Sequence, residues 1–156
     1  MLDRLAIILV GAQNSGKTST LKEYSDHYYG PVATFKKGWR HGLSPFKPKF
    51  LTVKVSAYVL PSSPTETRIP LSITLDALDW WPDIILMAEQ DGGSEYINTI
   101  NELRGKDYHI KTFGLTSTVG VETWVRWELK GDEAERLKYR REDIADYIRN
   151  FINSRT

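Results

Sequence analysis

The sequence predicts an α/β fold: a three-layer, mostly parallel sheet with helices on both faces and an antiparallel addition at one edge. Three observations predict it. Leu5-Ala6-Ile7-Ile8-Leu9-Val10 and Ile84-Ile85-Leu86-Met87-Ala88 are continuous apolar runs of strand length, the pattern of parallel strands covered on both faces. Helical periodicity follows the first run at once, with Leu21, Tyr24 and Tyr28 in step. The chain closes on a clear stripe of Ile144, Tyr147, Ile148, Phe151 and Ile152. At 156 residues, without repeat or linker, residues 1–156 read as a single domain.

The elements follow in order. The first helix is expected from about Gly16 to Tyr29, stopped by Gly30-Pro31. Val32-Ala33-Thr34-Phe35 reads as a short strand, and Lys36 to Lys49, with no clean period, as a loop. Phe50 to Leu60 alternates, with Val53, Val55, Ala57 and Val59 inward and Lys54, Ser56 and Tyr58 outward, as in a half-exposed strand. Residues 61–65 form a turn or surface loop. Residues 69–78 fit a short helix through Leu71, Leu75 and Leu78, with a hairpin strand against 50–60 as the rival. Pro70 and the need for a crossover favour the helix. After the strand over 83–89 and a turn at Asp91-Gly92-Gly93, Ser94 is the expected N-cap of a helix carrying Tyr96, Ile97, Ile100 and Leu103, ended by Gly105. Tyr108 to Leu115 is a further strand and Val121 to Leu129 the edge strand, broken by Gly131-Asp132-Glu133. The last helix is expected over about Arg141 to Asn153.

Composition limits the classes of function. Apolar residues at 40% and charged residues at 26% are ordinary for a soluble globular chain. No run approaches the roughly 18 apolar residues needed to cross a bilayer. The first strand starts too early for a signal peptide, so a cytoplasmic protein with no membrane partner is expected. Absence of cysteine excludes disulfides, thiolate metal sites and a cysteine nucleophile. His27, His41 and His109 share no ligand spacing, which argues against zinc.

Between the first strand and the first helix stands Gly11-Ala12-Gln13-Asn14-Ser15-Gly16-Lys17-Thr18, followed by Ser19. It matches G-x-x-x-x-G-K-[ST], the Walker A pattern. Such a loop aims backbone N–H groups at a helix N-terminus whose dipole favours negative charge. Its glycines let the backbone approach phosphate closely. On these residues the chain resembles the P-loop NTPase superfamily over about the first thirty positions. The resemblance implies a P-loop NTPase-type sheet and binding of a nucleoside triphosphate, with Gly11 to Ser19 around the phosphates. It implies that Lys17 reaches the β- and γ-phosphates and that Thr18 ligates Mg²⁺. It also implies an acid at the end of a neighbouring apolar strand, where Glu89 stands. The usual residue there is Asp, so Glu89 is open as a metal-shell residue or a general base, and Asp91 is a candidate to share the work. The Asn-Lys-x-Asp guanine motif is missing after Phe113-Gly114-Leu115, which favours ATP over GTP.

Charge adds a second surface. No Asp or Glu occurs from His27 to Thr65, while Lys36, Lys37, Arg40, Lys47, Lys49 and Lys54 fall within that span. Segment 36–50 interleaves these cations with aromatic residues. It suits phosphoryl transfer, with Arg40 and Lys37 as the functional members, or a nucleic-acid strand. A solvated loop is the plain alternative. Arg136, Arg140 and Arg141 sit among acids and read as an exposed helix face rather than a lid. Trp80, Trp81, Trp124 and Trp127 read as cover for the sheet rather than a base platform. Two functions follow: Mg²⁺-dependent phosphoryl transfer from ATP, or another NTP, to a small acceptor such as a nucleoside or nucleotide; or an ATP-binding switch or ATPase engaging a protein or nucleic acid through the basic segment.

Overall fold

A computed structural model describes residues 3–12, 15–30, 40–46, 51, 55–78, 81–115 and 132–155, with backbone alone for 40–46. In chain order the elements are β1 (Arg4–Gly11), α1 (Lys17–Tyr28), β2 (Arg40–Phe46), β3 (Val55–Leu60), α2 (Pro64–Thr67) and α3 (Leu71–Asp76), then β4 (Ile84–Gln90), α4 (Tyr96–Gly105), β5 (Tyr108–Gly114) and α5 (Glu133–Asn153). The sheet order is β2-β3-β4-β1-β5. β3, β4, β1 and β5 run parallel, with Leu5 level with Ile84 and with His109. β2 lies antiparallel on the outer side of β3.

Side chains alternate across each strand, so β1 feeds two cores. Leu5, Ile7 and Leu9 face α1 and α5, where Leu21, Tyr24, Ile144, Ile148 and Ile152 are buried. Ala6, Ile8 and Val10 face the opposite layer, packed with Leu71 and Leu75 of α3 and Leu103 of α4. This two-sided cover is why the first and fourth strands carry no polar alternation. Among the described residues no helix is long and apolar enough to cross a membrane.

Several expectations need correction. The segment over 36–49, expected to be a loop, contains β2 at 40–46. β3 is buried along its whole length rather than on one face. Tyr58 packs in the layer of Leu71 and Leu75, and buried Ser56 exchanges hydrogen bonds with Asp83. α3 and Asp83 cover the side that alternation left to water. The 61–65 turn leads into α2, whose N-cap Ser63 accepts a 3.1 Å bond from the Glu66 N–H. Residues 71–76 are helical, as Pro70 suggested. The N-cap position of α4 is Glu95 rather than Ser94, while its end at Gly105 is as expected. α5 starts two turns early, because Asp132 accepts a 2.8 Å bond from the Glu135 N–H and caps it. Other expectations lie outside the described residues, among them the edge strand over 121–129, the strand at 32–35, Gln13, Asn14, Lys36, Lys37, Lys47, Lys49, Trp80, Trp124 and Trp127.

Candidate functional site

The loop from β1 to α1 sits at the carboxyl edge of the parallel strands, where such sheets form clefts. Two glycines shape it for different reasons. Gly16 has φ 95 and ψ 18, a left-handed conformation open to few other residues. Gly11 has no room for a side chain, since a Cβ there would lie 2.5 Å from Ser15 Oγ. The turn is closed by the Ser15 N–H, which donates to the Ala12 carbonyl at 3.2 Å. Ser15 Oγ is buried with no hydrogen-bond partner among the described residues.

α1 begins without a side-chain cap and without an acid in its first turn. With glycine at the N-cap, that residue offers no side chain to the first amide donors of α1, and Lys17, Thr18 and Ser19 are among the residues lining the cleft. Lys17 is buried at 5% exposure, and its Nζ donates to the carbonyls of Gly11 at 3.0 Å and Ala12 at 2.8 Å. Burial lowers its pKa, while the charges of Glu66 and Glu89 work the other way. The Thr18 hydroxyl donates to the Pro61 carbonyl at 3.1 Å, tying the first turn of α1 to the end of β3. Ser15, Gly16, Lys17, Thr18 and Ser19 line a cavity of ≈ 460 Å³ together with Glu66 and Glu133.

Glu89 lies one register step from the loop, paired with Val10, but its side chain is fully buried. Its Oε1 accepts from Thr65 Oγ1 at 2.8 Å and from the Gln90 N–H at 3.0 Å, and its Oε2 from Thr99 Oγ1 at 3.0 Å. Burial raises its pKa, and hydrogen bonds from Thr65, Gln90 and Thr99 oppose that rise. The carboxylate thus joins α2, β4 and α4, and it is not among the residues that line the cavity. Asp91 is exposed; its backbone N–H donates to the Gly11 carbonyl at 3.1 Å, holding the β4 turn beside the loop. Arg40 is elsewhere. Its backbone pairs with Tyr58, in line with Ile85 and Ala6, so it is level with the middle of β1 and separated from it by β3 and β4.

The structure brings in residues that periodicity did not single out. Arg140 is not on an exposed face. It is 8% exposed, and its Nη1 donates to Thr20 Oγ1 at 3.2 Å. A Cβ on Gly16 would lie 3.0 Å from that same nitrogen. Arg136, Leu137 and Arg140 share a second hollow of ≈ 180 Å³ with Ser15, Gly16, Ser19 and Glu133. Burial, then the charge of Arg136, lowers the Arg140 pKa. The signal was present: Arg140 is one turn before Ile144 on the inward stripe of α5. Glu66 was marked by Ser63-x-x-Glu66, a helix-start pattern inside a segment that reads as turn. Trp81 packs near Tyr108, ring centres 6.0 Å apart, as sheet cover.

No group of three or more His, Cys, Asp or Glu able to hold a metal occurs among the described residues. The oxygen donors at the cavity, the Thr18 hydroxyl and the carboxylates of Glu66 and Glu133, are of the kind that suits a hard cation held mainly by water and phosphate. Compared with protein-family models, curated proteins and solved structures, the chain finds no match.

Proposed function

We propose that the chain is a P-loop protein that binds a nucleoside triphosphate, ATP by preference, with Mg²⁺, and transfers the γ-phosphoryl group to a small acceptor such as a nucleoside or nucleotide. The observation that carries this reading is the uncapped start of α1 opening, with buried Lys17, onto the Ser15–Ser19 cavity. Free amides at a helix start and one ammonium group are complementary to a polyphosphate. Arg136 and Arg140 on the other side of Gly16 add positive charge where phosphate charge would be held. Lys17 now rests on the loop's own carbonyls, and a triphosphate would offer it stronger anionic acceptors. Bound magnesium would supply charge neutralisation at the phosphates, with Thr18 as its protein hydroxyl.

Calorimetric titration with ATP and GTP tests the binding. Lys17→Ala is expected to fold and to lose most of the affinity; equal affinity in the variant would remove Lys17 from this role. Transfer is tested by ATP consumption with a panel of nucleosides and nucleotides, one of which should accelerate it. A nucleotide-dependent switch is the second reading, favoured by the Thr18–Pro61 bond. Ligation by Thr18 would release the segment leading into α2, and nucleotide would then change partner binding without any acceptor.

A further inference from the structure

Two exposed acids line this cleft, Glu66 and Glu133, and of the two only Glu66 is among the charges that act on Lys17. Glu89 sits where a strand-end acid was expected, yet every hydrogen bond to its carboxylate comes from Thr65, Gln90 or Thr99, and its exposure is 0%. A carboxylate held that way is a poor candidate for a magnesium shell, which needs oxygens facing the phosphates. Glu66 has the opposite setting. It is exposed on α2 and lines the same cavity as Lys17 and Thr18, and its charge is the larger of the two acidic influences on Lys17.

The seating of Glu66 is built from the core outward. Thr65, its neighbour, donates to Glu89 and accepts the Glu95 N–H at 3.2 Å. Thr65 also fills the space beside Gly93, where a Cβ would lie 2.4 Å from its Oγ1. Ser63 caps the same turn on the Glu66 N–H, and Pro61 is bonded to Thr18. The one-turn helix that carries Glu66 is therefore fastened both to the loop helix and to the buried carboxylate.

We propose that Glu66 is the carboxylate that meets the magnesium–water shell of a bound triphosphate, and that Glu89 is a positioning residue acting on it through Thr65. This rests on the triphosphate reading above. The assignment separates two roles that a single strand-end acid would combine: contact with the metal shell, and alignment of the group that makes it.

The test is calorimetric ATP binding with and without Mg²⁺ on the full chain, with folding checked by circular dichroism. In the wild type, magnesium should raise ATP affinity at least about tenfold. Glu66→Gln should lose that gain, while its magnesium-free affinity stays equal or rises as a negative charge leaves the cleft. Glu89→Ala, which removes the acceptor of Thr65 Oγ1, should lose part of the gain, and Glu89→Gln, which keeps an acceptor there, should restore it. Thr65→Val should lose part of it and Thr65→Ser should restore it, a rescue that general destabilisation would not give. Full magnesium gain in Glu66→Gln, or its loss in Glu89→Gln alone, overturns the proposal and leaves the triphosphate reading standing. A wild type that binds ATP equally with and without magnesium does the same. A wild type that binds no triphosphate under either condition overturns both.

Discussion

Arg140 donates from Nη1 to Thr20 Oγ1 at 3.2 Å, joining residues 120 positions apart where the C-terminal helix meets the first turns of α1. Thr20 in turn donates to the Gly16 carbonyl at 2.8 Å, so the guanidinium is coupled to the loop backbone through one hydroxyl. The contact places a cation against the loop in the same chain.

Arg140→Met tests whether that cation serves the ligand or the fold. The substitution keeps the aliphatic stem and removes the charge. Burial works against the charged form, while the bond to Thr20 and the charge of Glu133 favour it, so the thermal midpoint should move little. Triphosphate affinity should fall by about tenfold or more, the worth of a charge-assisted hydrogen bond. A lower midpoint with unchanged affinity would make Arg140 a structural residue only.

Gly16→Ala should cost about 1–2 kcal/mol in urea unfolding, the penalty for an L-residue held left-handed. The added Cβ would also press on Arg140 Nη1 at 3.0 Å. Gly105→Ala is the control. Gly105 ends α4 with open space where a Cβ would stand and an ordinary φ, so the same change there should be neutral or stabilise by about 0.5–1 kcal/mol.

Asp83→Ala should destabilise by about 1–3 kcal/mol, because it leaves buried donors without an acceptor. Asp83 Oδ2 accepts from the Ser56 N–H at 3.0 Å and from Ser56 Oγ at 3.1 Å, while the Asp83 N–H donates to Ser56 Oγ at 2.8 Å. Chemical denaturation of Asp83→Ala beside Ser56→Ala checks the coupling, and the double variant should lose less than the sum of the singles.

Glu89 should give a recognisable pH profile. Its folded pKa is raised by burial, so the folded state holds this proton more tightly than the unfolded chain does. Stability should therefore fall as pH rises from the unfolded carboxyl value, about 4.3, through the folded one. Glu89→Gln should lack that segment of the curve. Denaturant midpoints of both proteins from pH 4 to pH 8 measure it, and parallel profiles would contradict the assignment.

The chain's own residues determined the central strands, the shaped loop and the closing helix. Unbroken apolar runs at Leu5–Val10 and Ile84–Ala88, glycines at 11 and 16, and the Ile144–Ile152 stripe are local signals, each readable within a few turns of sequence. Alternation misled at β3, because Ser56 and Tyr58 look exposed until Asp83 and α3 cover them. Only the tertiary structure decided which polar groups meet. It set Arg140 against Thr20, locked Glu89 between two threonines, and brought Glu66 to the cavity edge. The reason is physical: periodicity fixes which way a side chain points from its own element, whereas its partner belongs to another element and is set only when the layers close.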